Sequence, residues 1–137
     1  MSKDASDDDP QKRFLTGIAI NPYQRIRLES GSEQLTTRAM DLFTPIGMGQ
    51  RGLIVAPPCS GKTTILKHIC QAVGAANPEI QLYALLIDER PEEVTDFKHS
   101  VPANVHASST DEDYDHHVRV ANDLLNIARR RAGEGFD

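Results

Sequence analysis

The residues best placed to do chemistry lie in the run Val55-Ala56-Pro57-Pro58-Cys59-Ser60-Gly61-Lys62-Thr63-Thr64. It fits the GxxxxGK[ST] pattern of a phosphate-binding loop, with Ala56 standing where the first glycine usually falls. Gly61 lets main-chain amides converge on an anionic phosphate with no side chain in the way. Lys62 supplies a mobile positive charge for the β- and γ-phosphates of a nucleotide, and Thr63 a hydroxyl for Mg²⁺. A chance Gly-Lys-Thr at a helix start is the plain alternative.

A second constellation closes the apolar run Leu82-Tyr83-Ala84-Leu85-Leu86-Ile87 with Asp88-Glu89-Arg90. Ligands of open α/β sheets bind beyond the carboxyl ends of strands, so both acids would point toward the phosphates. By spacing alone, Asp88 is the magnesium-binding carboxylate and Glu89 the group that polarises attacking water. The competing reading is a charged turn that pairs with itself.

Both sets of residues need elements to hold them. Leu53-Ile54-Val55 reads as a short strand buried on both faces, which is the habit of parallel sheets covered by helices. After the loop, Ile65, Leu66, Ile69 and Val73 share one helical face, and Gly74 is a plausible stop. That helix would aim its unpaired N–H groups and positive dipole end at the bound phosphate. Leu82 to Ile87 is a second buried strand. Pro91, with Glu92 and Glu93 behind it, opens a helix through about His99. Val105 to Ser108 reads as a third strand. Asp111 or Asp113 caps a last helix with Val118, Ala121, Leu124, Leu125 and Ala128 as its apolar stripe. Upstream, Ile26 and Leu28 alternate with arginines as a half-exposed strand, and Arg38 to Phe43 makes a helical turn stopped by Pro45. Strand and helix alternate throughout, so the expected fold is three-layer α/β on a parallel sheet.

The chain has 137 residues, 15 Lys+Arg against 20 Asp+Glu and a net charge of -5, which fits one domain able to bury a core. The acidic balance argues against nucleic-acid binding by bulk charge. No apolar run is long enough for a membrane span, and Cys59 and Cys70 form no CxxC pair, as expected of a reducing cytoplasm. The start, with Asp4, Asp7, Asp8 and Asp9, reads as a disordered acidic leader over residues 1–20. His116 and His117 splay by about 100° on a helix and make a poor metal pair. Arg129-Arg130-Arg131 offset a helix dipole more readily than they grip RNA.

The stretches TTRAMDLFTPIGMGQRGLIVAPP, CSGKTT and LLIDERPEEVTDF resemble the ATPase core of the bacterial transcription termination factor Rho family, from about Pro22 to the end. The resemblance implies a RecA-like P-loop NTPase core, ATP and Mg²⁺ as cofactors, RNA as partner, a homohexamer, and RNA polymerase as target. Carried over position by position, Cys59, Ser60, Gly61, Lys62, Thr63 and Thr64 form the phosphate-binding segment. Gly47, Met48, Gly49, Gln50, Arg51 and Gly52 form a loop of the nucleotide pocket. Glu89 becomes the general base toward water and Arg90 an arginine beside the nucleotide. Asp88 becomes a supporting residue, because the family's magnesium Asp lies on a later strand.

Two departures stand out. The family usually has lysine and alanine where this chain has Cys59 and Ser60, so one positive charge near the phosphates is lost. Cys59 lies near a helix start, where thiol pKa values tend to fall, so redox sensitivity stands beside the plainer reading of an unreactive loop thiol. The chain also stops where the strand with the magnesium Asp would begin. Residues 21–137 then correspond to the N-terminal half of the ATPase domain, with the sheet incomplete at the C-terminus. Alternatives are a remnant that binds nucleotide without hydrolysis, or another RecA-like ATPase such as a rotary ATP synthase catalytic subunit.

Overall fold

The computed structural model describes residues 9–19, 21–29 and 34–136. It divides into two units: Met1–Ala19 with Tyr83–Asp96 and Asn104–Asp137, and Ile20–Leu82 with Phe97–Ala103.

The second unit holds β1 (Arg25–Ile26), α2 (Leu35–Phe43), β2 (Ile46–Gly47) and α3 (Lys62–Ala76). β1 and β2 pair antiparallel, Arg25 with Gly47 and Ile26 with Ile46. The core of the unit is Leu28, Ala72 and Val73, against which Ile26, Met40, Ile69 and Leu82 pack. Burying one such side chain stabilises by about 1.5–3 kcal/mol, so the apolar stripe of α3 carries much of this unit. Gly74 does not stop α3, which runs on to Ala76 with Asn77 as its C-cap. Its smallness serves packing: a Cβ there would come within 2.5 Å of Pro102 Cγ.

Leu53-Ile54-Val55 is not the buried strand the sequence suggests. Residues 51–57 form neither strand nor helix, and Leu53 and Val55 are 88% and 80% exposed. A strand needs a ladder neighbour to satisfy its amides and carbonyls. Among the described residues of this unit the one strand pair is β1–β2, and residues 53–55 belong to neither strand.

The first unit holds α1 (Pro10–Thr16), β3 (Tyr83–Glu89), β4 (Asn104–Ser109) and α5 (Tyr114–Glu134), with the start of α4 (Pro91–Ser100). β3 and β4 pair in parallel from Tyr83–Asn104 to Ile87–Ser108, and α5 packs on both. Among the described residues the parallel sheet is two strands, and the architecture is α/β with one parallel pair. Asp113 caps α5 by accepting from the His116 N–H at 2.7 Å.

Residues 1–8 of the expected leader lie outside the described residues. Within the same stretch Pro10–Thr16 is helical, because Asp9 caps it, Pro10 occupies the first turn and α5 gives it a surface to pack on. Gln11 Nε2 donates to Asn126 Oδ1 at 3.1 Å, and Gly133 leaves room for the Pro10 carbonyl, into which a Cβ would run.

Candidate nucleotide-binding site

Lys62 and Thr63 are the first two residues of α3, and Gly61 is its N-cap. Gly61 sits at φ +89° with open space where a Cβ would go, so its requirement is conformational rather than steric. Cys59 is also left-handed, at φ 59°, and exposed. Ser60 Oγ donates to the Pro57 carbonyl at 2.6 Å, which ties the loop to itself. The first bond of the helix ladder is Ile65 N–H to the Gly61 carbonyl, 2.9 Å, so the amides ahead of Ile65 have no partner from the ladder.

No side chain caps α3, and its first turn carries no acid. By contrast, Asp9 and Asp113 cap α1 and α5. A lysine at the positive end of a helix dipole is unfavourable by itself. Lysine, bare amides and a left-handed glycine together suit an anion with several acceptor oxygens. These features suit a polyphosphate, and Thr63, next to Lys62, carries the hydroxyl there that could hold a magnesium ion. Further along α3, burial pushes the Cys70 thiol up, so of the two thiols Cys59 is the accessible one.

The loop Gly47, Met48, Gly49, Gln50, Arg51, Gly52 belongs to the same unit and is held at three points. Gly47 N–H donates to Gln50 Oε1 at 2.9 Å, Gln50 N–H to the Gly47 carbonyl at 3.0 Å, and Met48 N–H to the Gln24 carbonyl at 2.8 Å. A Cβ on Gly47 would lie 2.6 Å from the Pro22 carbonyl oxygen, so this turn admits only glycine. Gln50 and Gly52 share an apolar cleft of about 380 Å³ with Leu66 and Ile69 of α3. The structure therefore brings the glycine-rich loop and α3 together.

The segment that pairs beside the loop is held by a residue the sequence did not single out. Asp41, on α2, is buried. Its Oδ2 accepts the N–H groups of Leu28 at 3.1 Å and Glu29 at 2.8 Å. Its Oδ1 faces Arg25 Nη2 at 3.3 Å. Burial is the largest single influence on this carboxyl and pushes it up. The Glu29 N–H, the Arg25 guanidinium and the Leu28 N–H together outweigh burial and hold it below its ordinary value. Asp41 thus fixes the strand that pairs with β2, where the loop begins. Only its place in the α2 pattern, an acid among Met40, Leu42 and Phe43, hinted at it.

Glu89 and Arg90 belong to the other unit, at the end of β3. The strand end is irregular: Ile87 pairs with Ser108 and Glu89 with Ser109, leaving Asp88 as an extra residue at φ 58°. Thr110 N–H donates to the Glu89 carbonyl at 3.1 Å and closes the strand. Nearby, His116 and His117 do converge on a hydroxyl: each Nδ1 lies 2.7 Å from Ser108 Oγ. A hydroxyl has one proton to donate, so one of the two rings must carry its own proton on Nδ1. Among the described residues no group of three or more His, Cys, Asp or Glu is placed to hold a metal, and no helix is long and apolar enough to cross a membrane.

The transcription termination factor Rho of Mycobacterium tuberculosis is 48% identical over 132 residues, covering 95% of this chain and 22% of that protein. The Rho factors of Bacillus subtilis and Karelsulcia muelleri are 45% and 44% identical, with 90% and 93% of this chain and 30% and 34% of theirs. The chain therefore spans between about a fifth and a third of the length of these relatives. The resemblance to Rho read from the sequence holds over nearly its whole length. The profile of the ATP synthase alpha/beta family, nucleotide-binding domain, matches residues 36–124, which include the glycine-rich loop, the start of α3 and the end of β3. Matched over well more than half its residues, the chain belongs to that family through its nucleotide-binding domain.

Proposed function

We propose that the chain grips ATP as part of a Rho-type, RNA-dependent ATPase that terminates transcription by moving along nascent RNA. The observation that carries this reading is the start of α3: Lys62 and Thr63 behind a left-handed Gly61, with no side-chain cap, in a chain close to Rho factors. Lys62 and the main-chain amides at the start of α3 hold the phosphates. Thr63 holds Mg²⁺, which when bound neutralises phosphate charge. Glu89 acts as general base toward water, and Arg90 balances charge on the nucleotide. Gly47 to Gly52 form a wall of the nucleotide pocket. The finer fold is a RecA-like three-layer core. Partners follow the same reading: RNA, further copies in a homohexamer, and RNA polymerase as the target, in the cytoplasm.

Titration with a fluorescent ATP analogue and Mg²⁺ tests the grip: Lys62→Gln should weaken binding at least tenfold, and equal affinity would overturn the assignment. Turnover with and without cytidine-rich RNA tests the rest. Absence of RNA stimulation at every RNA concentration would favour a nucleotide holder without hydrolysis. A rotary ATP synthase subunit is less well supported, since LLIDERPEEVT follows the Rho pattern.

A further inference from the structure

The end of β3 carries a feature that the proposed chemistry leaves unused. In a regular parallel ladder Glu89 would lie opposite Thr110, two steps beyond the Ile87–Ser108 pair and on the same sheet face. Instead Glu89 lies opposite Ser109, and β3 spends one extra residue, Asp88, on that step. Neighbouring residues of β4 point to opposite faces, so the bulge moves Glu89 off the Ser108 face and onto the other. The Ser108 face is occupied: Ser108 is 1% exposed, its hydroxyl meets His116 and His117, and Glu112 Oε2 stands 3.8 Å from His116 Nδ1. A regular strand would turn Glu89 toward the first turn of α5 and another carboxylate. The bulge turns it away. The extra residue takes a backbone of φ 58°, a region that glycine enters freely, that Asn and Asp tolerate, and that β-branched residues avoid.

We propose that Asp88 is a positioning residue whose left-handed backbone, rather than its carboxylate, sets the bulge that carries Glu89 to the sheet face away from α5. This rests on the reading of Glu89 as general base, and the test separates the two. First, ATP turnover of the full chain is compared with Glu89→Gln; equal rates overturn the role of Glu89. Second, Asp88→Gly, Asp88→Asn and Asp88→Val are compared for turnover and for urea unfolding. A left-handed residue of ordinary side chain loses a factor of about 5 to 30 in the population that holds the bulge. Asp88→Gly and Asp88→Asn should therefore exceed Asp88→Val by about 5- to 30-fold in kcat, with KM for ATP alike in all three. The folding equilibrium should fall in the same order. If Asp88→Gly and Asp88→Asn lose as much as Asp88→Val, the carboxylate is what matters and the proposal is overturned. Should no variant of the chain turn over ATP, the urea order alone decides: Val as stable as Gly at this position overturns the left-handed requirement.

Discussion

Replacing Asp41 by alanine should strongly destabilise the unit that holds Gly61 and α3. Two amides lose their acceptor, that of Leu28, which is 0% exposed, and that of Glu29. Each bond to a charged acceptor contributes about 1.5–3 kcal/mol. Glu29 is exposed on its far side, so the lower half of the range applies, and Asp41→Ala should cost about 3–4 kcal/mol. Arg25 is different. Its side chain is 49% exposed, so its ion pair is screened and worth under about 1 kcal/mol. Urea unfolding of the full chain should therefore show a loss for Asp41→Ala several times that for Arg25→Ala. The acid dependence has a definite sign. The folded carboxyl lies below its ordinary value, so its contribution is complete above about pH 3.9. It is lost as pH falls through the depressed folded value. The stability gap between wild type and Asp41→Asn should be flat above about pH 5 and close under acid. Equal losses for Asp41→Ala and Arg25→Ala, or a gap that widens in acid, would refute the argument that main-chain amides dominate this carboxylate.

Two further outcomes follow from packing. Gly74→Ala should destabilise by about 1–3 kcal/mol by overpacking, because its Cβ would sit 2.5 Å from Pro102 Cγ; calorimetry on Gly74→Ala with Pro102→Ala should recover most of the loss, and no recovery would mean that the clash lies elsewhere. Leu53 and Val55 are exposed apolar residues on a segment with unpaired backbone, which invites association between chains. Leu53→Lys with Val55→Lys should lower light scattering on concentration, and unchanged scattering would clear this segment.

The sequence was most legible where a pattern is local. The helix after Gly61, the Pro91 start, the strands ending at Glu89 and near Ser108, and Asp113 as a cap all depend on neighbours within a few residues. It was least legible where the outcome depends on a partner. Leu53-Ile54-Val55 has strand composition, yet it pairs with no strand among the described residues. Gly74 looked like a helix stop because nothing nearby in sequence announces Pro102. Pro10–Thr16 looked unstructured because its packing surface on α5 lies more than a hundred residues away. Asp41 was invisible because its three partners sit on a segment 12 to 16 residues upstream. The site followed the same rule. The loop and helix start around Gly61 were readable because they are contiguous, whereas the bulge at Asp88 shows only in the register with β4.

Lys62 provides the sharpest separation of a binding role from a folding role. It stands at the positive end of α3, where a cation costs about 0.3–1 kcal/mol, and nothing in the first turn offsets it. Lys62→Gln removes that cost at nearly constant helix propensity. The nucleotide-free chain should then gain a few tenths of a kcal/mol to about 1 kcal/mol in urea unfolding while losing affinity for the ATP analogue. A lysine kept for the fold would show the opposite sign in the first measurement and none in the second. Saturating nucleotide should also stabilise the wild type far more than the variant, since a ligand that binds only the folded chain stabilises by RT ln(1 + [L]/Kd). If Lys62→Gln weakens the nucleotide-free chain, the helix start is not carrying the uncompensated positive charge on which the phosphate grip depends.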